Sequence, residues 1–439
     1  MVWGSCVATL VVLAFVVPHL HLRWLSPIVD KTAHQYRALA QTAPFLGRWM
    51  PHGNWATVCA VVVAVGVVAF GPSVVRTLPW RRLLLGSWLV SAVWAMSLTL
   101  IDGWGPGFVH RMESSNGYRF MVPRVGGVAD LFRTFVSHIP AGHPGSWNLA
   151  VSGHPPGALL TFVGLDRLGM GGPVWASAFC VATGTSAAAA VLIAVRALSN
   201  EGTARRVAPF VVLAPAAVWI AVSADAYYAG VAAWGLALLA LSATGATRWA
   251  REVGVAAGVL LGFALYLDYG LVLMGIPALA ILAIARNYRP LVGAGLGALA
   301  VVAVFTSLGF WWFHGLTVLR HRYWSGIAGD RPFAYWSWGN LASLTGAVGL
   351  GAATALRRAF APPALRRAGL HLLLVAFVVV VVVADLSALS KAETERIWLP
   401  FSVWLVAAPA LLPQGSHRFT LGVQAVGALV INSLLFTTW

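Results

Sequence analysis

Two polar residues stand near the ends of the largest polar segment in the sequence, residues 102–156. Asp102 follows an apolar stretch directly, and His154 begins the sequence His-Pro-Pro-Gly at the far end. An ionised carboxylate at a cavity mouth can take a proton from a hydroxyl group. The two prolines hold His154 extended before a helix start, where free N–H groups suit a phosphate. The alternative interpretation is a hydrated acid at a helix end and an ordinary helix begun by proline.

Further charged groups lie in short turns beside apolar stretches. Asp225 is in Ser-Ala-Asp-Ala-Tyr, Asp268 is in Leu-Asp-Tyr-Gly, and Glu395 and Arg396 come shortly before another apolar stretch. An arginine so close to an apolar boundary is energetically expensive. We therefore expect Arg396 to hold a phosphate and Glu395 to orient it or to bind acceptor hydroxyls. The alternative is that these two neighbours simply pair with each other.

The segment 312–337 is rich in arginine and aromatic residues. Arginine binds phosphate oxygens through two hydrogen bonds, and aromatic rings suit sugar faces as well as the Trp/Tyr belt of any membrane protein. The catalytic candidates are Asp102, His154 and Asp225. The candidates for binding donor phosphate or substrate are Arg322, Arg331, Glu395, Arg396, Tyr118, Asp268 and Tyr335.

The elements that must position these residues follow from composition. Of 439 residues, 59% are hydrophobic and only 10% are charged, whereas soluble proteins carry about a quarter charged residues. Apolar runs of about 18 residues, enough to cross a bilayer, recur along the whole chain. The sequence predicts one all-α transmembrane domain over 1–439 with about 13 helices. They are expected near 3–20, 55–75, 83–101, 172–195, 207–223, 227–244, 252–267, 270–286, 290–311, 337–356, 368–386, 398–412 and 418–437.

Charge patterning predicts the orientation of these helices. Arginine clusters recur at every second loop, which marks those loops as cytoplasmic. The clusters are Arg76/Arg81/Arg82, Arg196/Arg205/Arg206, Arg248/Arg251, Arg286/Arg289 and Arg357/Arg358/Arg366/Arg367. The N-terminus is then inside and the C-terminus outside, provided that residues 157–168 form a juxtamembrane or re-entrant helix rather than a span. Because basic residues sit between apolar runs, the net charge of +16 does not indicate nucleic acid.

Eleven of the thirteen acidic residues then fall on the outer side. They are Asp30, Asp102, Glu113, Asp130, Asp166, Asp225, Asp268, Asp330, Asp385, Glu393 and Glu395. The outer face therefore holds the predicted site, built from the loop 102–156, the Arg/aromatic loop 312–337 and the late loop 387–397. All three cysteines lie in apolar runs, and no metal-binding spacing is present, so no metal site is predicted.

At these residues the chain resembles the GT-C superfamily of integral membrane glycosyltransferases, which use polyprenyl-phosphate-linked sugars. The likeness is to multi-span actinobacterial members that build cell-envelope glycans, and it runs from about Leu83 onward. It lies in an outer acid after a transmembrane helix, a long loop with juxtamembrane helices that ends in His-Pro-Pro, and a second acid in a later turn. A Glu/Arg element before a late helix is also similar. Many members carry Asp-Glu after their first helix, whereas here Gly103 follows Asp102 and two spans precede the helix that leads into the loop.

The resemblance implies an inverting transfer of mannose or arabinofuranose from a polyprenyl-phosphate donor to a glycan or glycolipid acceptor, on the outer face of the plasma membrane. Asp102 would deprotonate the acceptor hydroxyl, with Asp30 and Asp225 as the other acids available. Arginines and His154 would stabilise the departing lipid phosphate. No cofactor is predicted with certainty, and a divalent metal remains open because relatives differ in metal dependence.

Three other functions fit the composition. A transporter or flippase for lipid-linked glycans would place charged residues near the middle of the membrane, often in repeated halves, and no internal repeat is visible. An O-antigen-ligase-like enzyme would use a diphosphate donor and present arginine and histidine on the same side. A scaffold without catalysis would not need eleven outer acids.

Overall fold

The computed structural model describes residues 2–20, 22, 42–361 and 369–437. Asp30, Lys31, Arg366 and Arg367 lie outside the described residues. The helices are α1 Val2–Val16, α2 Trp55–Thr77, α3 Trp80–Thr99, α4 Val128–Thr134, α5 Leu149–Gly153, α6 Pro156–Leu165, α7 Pro173–Leu198, α8 Glu201–Val212, α9 Ala217–Ile220, α10 Ala224–Thr244, α11 Ala250–Ala264, α12 Gly275–Ala285, α13 Pro290–Ser307, α14 Trp312–Ser325, α15 Ile327–Asp330, α16 Phe333–Val348, α17 Leu350–Ala355, α18 Leu370–Leu386, α19 Thr394–Ile397, α20 Leu399–Leu405 and α21 His417–Leu434.

Short segments of 3₁₀ or π helix connect several of these elements. They are Val17–Leu20, Trp104–Val109, His110–Glu113, Arg119–Arg124, Val136–His138, Asp166–Met170, Tyr269–Met274, Leu356–Arg358, Ala408–Leu411 and Gln414–Ser416. Two short strands, β1 Gly47–Trp49 and β2 Leu435–Thr437, pair in antiparallel fashion. Over the part of the chain that the structure describes, the prediction of an all-helical protein is confirmed, apart from this small ribbon.

Within the described residues, six helical segments are long and apolar enough to cross a membrane: Trp3–Leu20, Trp55–Thr77, Trp80–Thr99, Pro173–Leu198, Ala224–Thr244 and Pro290–Ser307. Of these six, α10 is the most buried, with 78% of its most apolar stretch inside the protein, whereas only 11% of the corresponding stretch of α2 is inside. Helices α7 and α10 thus form the centre of the bundle. Helix α2 turns apolar side chains such as Val62 and Phe70 outward. Such a surface suits lipid rather than water, which indicates a membrane protein.

The predicted count of about 13 spans is not confirmed, because several apolar stretches are broken into short helices. The stretch 207–223 divides into the end of α8 and the short α9. The stretch 337–356 divides at Gly349, whose φ of 86° ends α16. The stretch 398–412 divides into α20 and the turn Ala408–Leu411. A hydrophobicity pattern records that a stretch is apolar, but it does not record these breaks.

Hydrogen bonds between distant segments define the two ends of the bundle. The side chain of Asn54, before α2, donates to the carbonyl oxygen of Leu100 at 2.8 Å, and Asn432 in α21 donates to Leu98 at 3.0 Å. These contacts join the start of α2 to the ends of α3 and α21. At the opposite end, Arg205 donates to the carbonyl oxygen of Leu78 at 2.9 Å. We call the first the acidic end, because Asp102 follows α3 there. Which end faces the outside stays a prediction from the arginine pattern.

Close helix packing at the centre depends on glycine. A Cβ atom added to Gly230 of α10 would lie 2.3 Å from the carbonyl oxygen of Thr183 in α7. A Cβ atom added to Gly258 of α11 would lie 1.9 Å from the carbonyl oxygen of Ala294 in α13. Small residues let helix backbones approach in this way. Backbone contact therefore sets the distance between α7 and α10 and that between α11 and α13. It also sets the positions of the loops that these helices connect.

We predict that Gly230→Ala lowers the unfolding temperature of the detergent-solubilised protein, because one methyl group forces α7 and α10 apart. The matched control is Gly66→Ala in α2, where an added Cβ atom meets nothing within 4 Å. That control should keep or raise the unfolding temperature, since alanine favours helix over glycine by about 1 kcal/mol. Equal effects of the two substitutions would contradict the packing account.

Candidate functional site

Three polar side chains from distant parts of the chain meet at the acidic end. His154 lies between α5 and α6, Asp225 is in the first turn of α10, and Asp268 follows α11. One ligand atom from each of them lies within 4.8 Å of the other two. Arg396 of α19 donates from Nη1 to Oδ2 of Asp225. We call these four residues the central cluster.

Local structure fixes the orientation of His154. The side chain of Asn148 accepts a hydrogen bond from Val151 at 3.1 Å and so starts α5, which ends at His154. The ring nitrogen Nδ1 of His154 donates to the carbonyl oxygen of Ala150 at 2.8 Å. A carbonyl oxygen only accepts, so Nδ1 carries the proton. This leaves Nε2 to face the carboxylates, while Pro155 keeps the backbone extended before α6.

Asp225 is held at the start of α10, the most buried of the six long apolar helices. Its residue exposure is 1%, and the hydroxyl of Ser223 caps α10 by accepting from the N–H of Ala226 at 3.3 Å. An acid is favourable in a first turn because of the helix dipole. Oδ2 accepts from Arg396, whereas Oδ1 has no hydrogen-bond partner among the described residues. A buried carboxylate oxygen without a partner is unusual in folded proteins, so it marks a place where a ligand could bind.

Asp268 is oriented by a tight turn. Its Oδ1 accepts from the backbone N–H of Gly270 at 2.7 Å. Loss of hydration raises the pKa of Asp268 above its ordinary value, although nearby His154 and the Gly270 N–H pull the other way. Asp225 raises the pKa of Asp268 further. A carboxyl group with a raised pKa is a better proton acceptor at neutral pH than an ordinary aspartate.

Two tyrosines flank His154. The ring centroids of Tyr118 and His154 are 5.7 Å apart, and those of Tyr228 and His154 are 5.6 Å apart. Both tyrosines are buried. Loss of hydration raises the pKa of Tyr118 well above its ordinary value, so its hydroxyl stays protonated. The two hydroxyls are therefore neutral hydrogen-bonding groups beside the charged ones.

A chain of ion pairs leads from the central cluster towards α15. Arg396 Nη2 lies 3.0 Å from Oε2 of Glu393, and Oε1 of Glu393 lies 3.4 Å from Nη2 of Arg331. Loss of hydration lowers the pKa of Arg396, yet Asp225 and Glu393 outweigh it and the net shift is upward. The guanidinium thus stays charged. The predicted alternative, in which Arg396 pairs with Glu395, is not what the structure shows, because Arg396 pairs with Asp225 and Glu393.

The Glu395 side chain is buried inside the protein. The residue is fully buried, with 0% exposure, and its Oε1 accepts from the backbone N–H of Leu46 at 3.2 Å. Burial raises the pKa of Glu395 to about 7. The structure thus places the Glu395 carboxylate against the segment before β1.

Asp102 lies in a separate ion cluster. Its Oδ2 accepts from Arg111 Nη2 at 2.6 Å, and its Oδ1 lies 2.7 Å from Nε2 of His52. The Asp102 side chain is only 2% exposed, and it hydrogen-bonds no residue of the central cluster. The structure therefore gives Asp102 a pairing partner nine residues later in the chain instead of a place beside His154.

Two predicted substrate-binding residues brace the fold. Arg322 Nη1 donates to the carbonyl oxygens of Ile139 and Trp147, the second at 3.2 Å. The hydroxyl of Tyr335 donates to the carbonyl oxygen of Ala14 at 2.7 Å, and Tyr335 is fully buried. The segment 312–337, predicted as a loop, is largely helical here. Its side chains therefore point in all directions around α14 and α16, and only some can face the cluster.

Sequence reasoning gave no role to Glu393, Tyr228 or Lys391. Tyr228 lies three positions after Asp225 in α10, so helical spacing alone places the two residues on one face. For Glu393, no local pattern distinguished it from its neighbour Glu395. Lys391 contacts Arg331 through the backbone of a loop, which sequence spacing does not predict.

The central cluster also offers ligands for a divalent cation. An imidazole nitrogen and two carboxylate oxygens are common ligands for such ions, and a hydrogen bond from Nδ1 to a carbonyl oxygen typically orients a histidine ligand. Sequence spacing predicts no such set, because His154, Asp225 and Asp268 come from three separate elements. A guanidinium on Asp225 adds a positive charge beside any cation bound there.

No family model and no curated protein matches the chain. Among solved structures, it is similar to the oligosaccharyltransferase of Archaeoglobus fulgidus, crystallised in complex with zinc and sulfate. The two share 12% sequence identity and a TM-score of 0.49, over 81% of this chain and 53% of that chain. The chain thus spans about half the length of that enzyme. A likeness this loose carries no argument about activity.

We predict that Asp102→Asn lowers the unfolding temperature, because it leaves the guanidinium of Arg111 buried without its counter-charge. Removing one partner of a buried ion pair typically costs about 3–5 kcal/mol. The double variant Asp102→Asn/Arg111→Gln should recover part of the loss in a thermal unfolding assay. A double variant no more stable than expected from the sum of the two single effects would contradict a direct pairing role.

Stability should depend on pH through Glu395. Its folded pKa of about 7 exceeds the ordinary value of 4.5, so its stabilising contribution is complete below about 4.5 and is lost as pH rises through about 7. The loss amounts to about 3 kcal/mol. Wild type should therefore lose stability relative to Glu395→Gln between about pH 5 and 8. The exposed Glu113→Gln serves as the control, and parallel curves for wild type and Glu395→Gln would refute this assignment.

Proposed function

We propose that the chain is a membrane glycosyltransferase that moves a sugar from a polyprenyl-phosphate donor to a hydroxyl group of a glycan or glycolipid acceptor. The observation that carries the proposal is the meeting of His154, Asp225, Asp268 and Arg396 at the end of an apolar helix bundle. The site combines carboxylates for proton transfer with a guanidinium for a phosphate. Its position at the end of an apolar helix bundle suits a donor with a long hydrocarbon tail.

The phosphate of the donor binds to Arg396 and Arg331 in this proposal. Arg396 belongs to the central cluster, and Glu393 connects Arg331 to it. Negative charge builds up on the phosphate as the bond to the sugar breaks, and fixed positive groups stabilise it. Arginine suits this task because its planar donors match phosphate oxygens.

We move the proposed general base from Asp102 to Asp268. The acceptor hydroxyl loses its proton to Asp268, and its oxygen forms a bond to the anomeric carbon. The bond from that carbon to the phosphate oxygen breaks, and its electron pair leaves with the lipid phosphate. Attack from the face opposite the phosphate inverts the configuration. Asp225 holds Arg396, and Tyr118 with Tyr228 offers neutral hydrogen bonds to hydroxyl groups.

The finer assignments follow the sequence analysis. Mannose and arabinofuranose are the proposed sugars, a cell-envelope glycan is the proposed acceptor, and the outer face of the plasma membrane is the proposed side. The arginine pattern of the short loops supports that orientation. Charged groups at helix ends, instead of near the middle of the spans, favour a transferase over a transporter.

We predict that Asp268→Asn reduces sugar transfer by about 10²–10⁴-fold, the usual contribution of a general base. The assay would supply radiolabelled polyprenyl-phosphate mannose or arabinofuranose with candidate acceptors. Wild-type activity should rise with pH through a limb above the ordinary aspartate range, because the pKa of Asp268 is raised. Asp130→Asn, a change at an exposed acid of the long loop, is the matched control. Transfer by Asp268→Asn at the wild-type rate would remove Asp268 as the base.

A further inference from the structure

The carboxylate of Glu393 bridges two arginines. Its Oε2 lies 3.0 Å from Nη2 of Arg396, and its Oε1 lies 3.4 Å from Nη2 of Arg331. A phosphate bound between these arginines would make the same kind of contact, with one oxygen on each guanidinium group. Glu393 thus takes the position that the proposed function assigns to the donor phosphate.

Charge balance makes simultaneous occupation unfavourable. Arg331 and Arg396 carry two positive charges, and Glu393 and Asp225 carry two negative charges. The four groups together are neutral, and the adjacent charges of Lys391 and Asp268 also cancel, so an incoming phosphate finds no net positive charge. Where water is scarce, an additional anion beside two carboxylates is strongly repelled. One of the two carboxylates must therefore leave when the phosphate binds.

Burial identifies Glu393 as the carboxylate that leaves. The Asp225 side chain is 2% exposed and sits on the first turn of α10, in the centre of the bundle. The Glu393 side chain is 17% exposed. Arg331 and Arg396 are exposed to a similar extent, at 14% and 19%. All three side chains are thus partly exposed, whereas Asp225 is not, so Glu393 is the carboxylate that can turn towards solvent when a ligand contacts the arginines.

The backbone around Glu393 is held in place, so the exchange involves its side chain alone. Arg331 Nη1 donates to the carbonyl oxygen of Lys391 at 2.5 Å, and Lys391 Nζ donates to that of Arg331 at 2.8 Å. Asn340 accepts from the N–H of Ala392 at 3.2 Å. The carbonyl oxygen of Glu393 itself accepts from the N–H of Arg396 at 3.1 Å. Both arginines thus keep their positions when the Glu393 carboxylate leaves.

We propose that the Glu393 carboxylate is an internal substitute for the donor phosphate. It leaves the two arginines when the donor phosphate binds, and it returns to them when the lipid phosphate product is released. This proposal rests on the proposed function. A phosphodiester with one negative charge exchanges for one carboxylate and keeps the site neutral. A diphosphate adds charge beside the displaced glutamate and is penalised. Glu393 therefore selects a monophosphate-linked donor and speeds the departure of the product.

The test measures binding of farnesyl monophosphate, farnesyl diphosphate and farnesol to the purified full chain at about pH 5, where the monophosphate carries about one negative charge, as the phosphodiester of the donor does. Glu393→Gln keeps the size of the side chain and removes its charge. It should bind farnesyl monophosphate about tenfold more tightly than wild type, with a slower off-rate, because an intramolecular competitor worth one charged hydrogen bond is lost. The gain should be larger for the diphosphate and absent for farnesol. Glu113→Gln, at an exposed acid, controls for a general change of surface charge.

Equal or weaker binding of farnesyl monophosphate by Glu393→Gln would overturn the proposal, as would an equal gain with farnesol. Unfolding temperatures of both variants show whether the fold is intact, and Glu393→Ala provides a second variant that also removes the carboxylate. The transfer assay with Asp268→Asn reports on the proposed function separately. Transfer without any change in binding by Glu393→Gln would leave the enzyme proposal standing and remove only the role of Glu393. Binding by neither protein would remove that role as well.

Discussion

The ion pair between Asp225 and Arg396 is the contact on which the acidic end depends. It joins the first turn of α10 to the short helix α19, which lies more than a hundred residues later in the chain. In an apolar bundle, a lone carboxylate or guanidinium would be strongly disfavoured, whereas a pair is tolerated. The pair therefore fixes α19 over α10. It also holds a charged guanidinium beside His154 and Asp268, where a phosphate can meet it.

The two buried ion clusters at the acidic end differ in whether they leave a carboxylate oxygen free to bind a ligand. Both oxygens of Asp102 are engaged, by Arg111 and by His52. Asp225 gives one oxygen to Arg396 and keeps the other without a hydrogen-bond partner within the described ranges. The first cluster is thus suited to holding the long segment after α3 against the segment before α2. The second cluster is suited to binding, which is why we place the chemistry there.

The sequence predicted a good part of this arrangement. Apolar stretches that cross a bilayer must alternate in direction, so turns at every second junction share one side. This reasoning placed His154, Asp225, Asp268 and Arg396 on one face, and the structure brings them together at the acidic end. The shared side follows from counting apolar stretches and stays a prediction, because the count of about 13 spans is not confirmed. The breaks within apolar stretches, as at Gly349, depend on local backbone geometry that a hydrophobicity pattern does not contain.

The partners of individual charged residues could not be predicted. Asp102 pairs with Arg111 because the chain after α3 turns back within a few residues, and with His52 because β1 and β2 pair nearby. Arg322 looked like a phosphate ligand but satisfies backbone carbonyl oxygens. Glu393 and Glu395 are two positions apart in sequence, yet one faces two arginines and the other is buried against the segment before β1. Such distinctions arise from tertiary packing, which spacing along the chain does not encode.

The most direct test is an experimental structure of the full chain with a non-hydrolysable phosphonate analogue of a polyprenyl-phosphate sugar. The account predicts the phosphonate oxygens against Arg331 and Arg396, the Glu393 side chain turned outward, and the anomeric carbon of the sugar facing Asp268. An analogue bound at the arginine-rich opposite end, or bound elsewhere while Glu393 still bridges the two arginines, would contradict it.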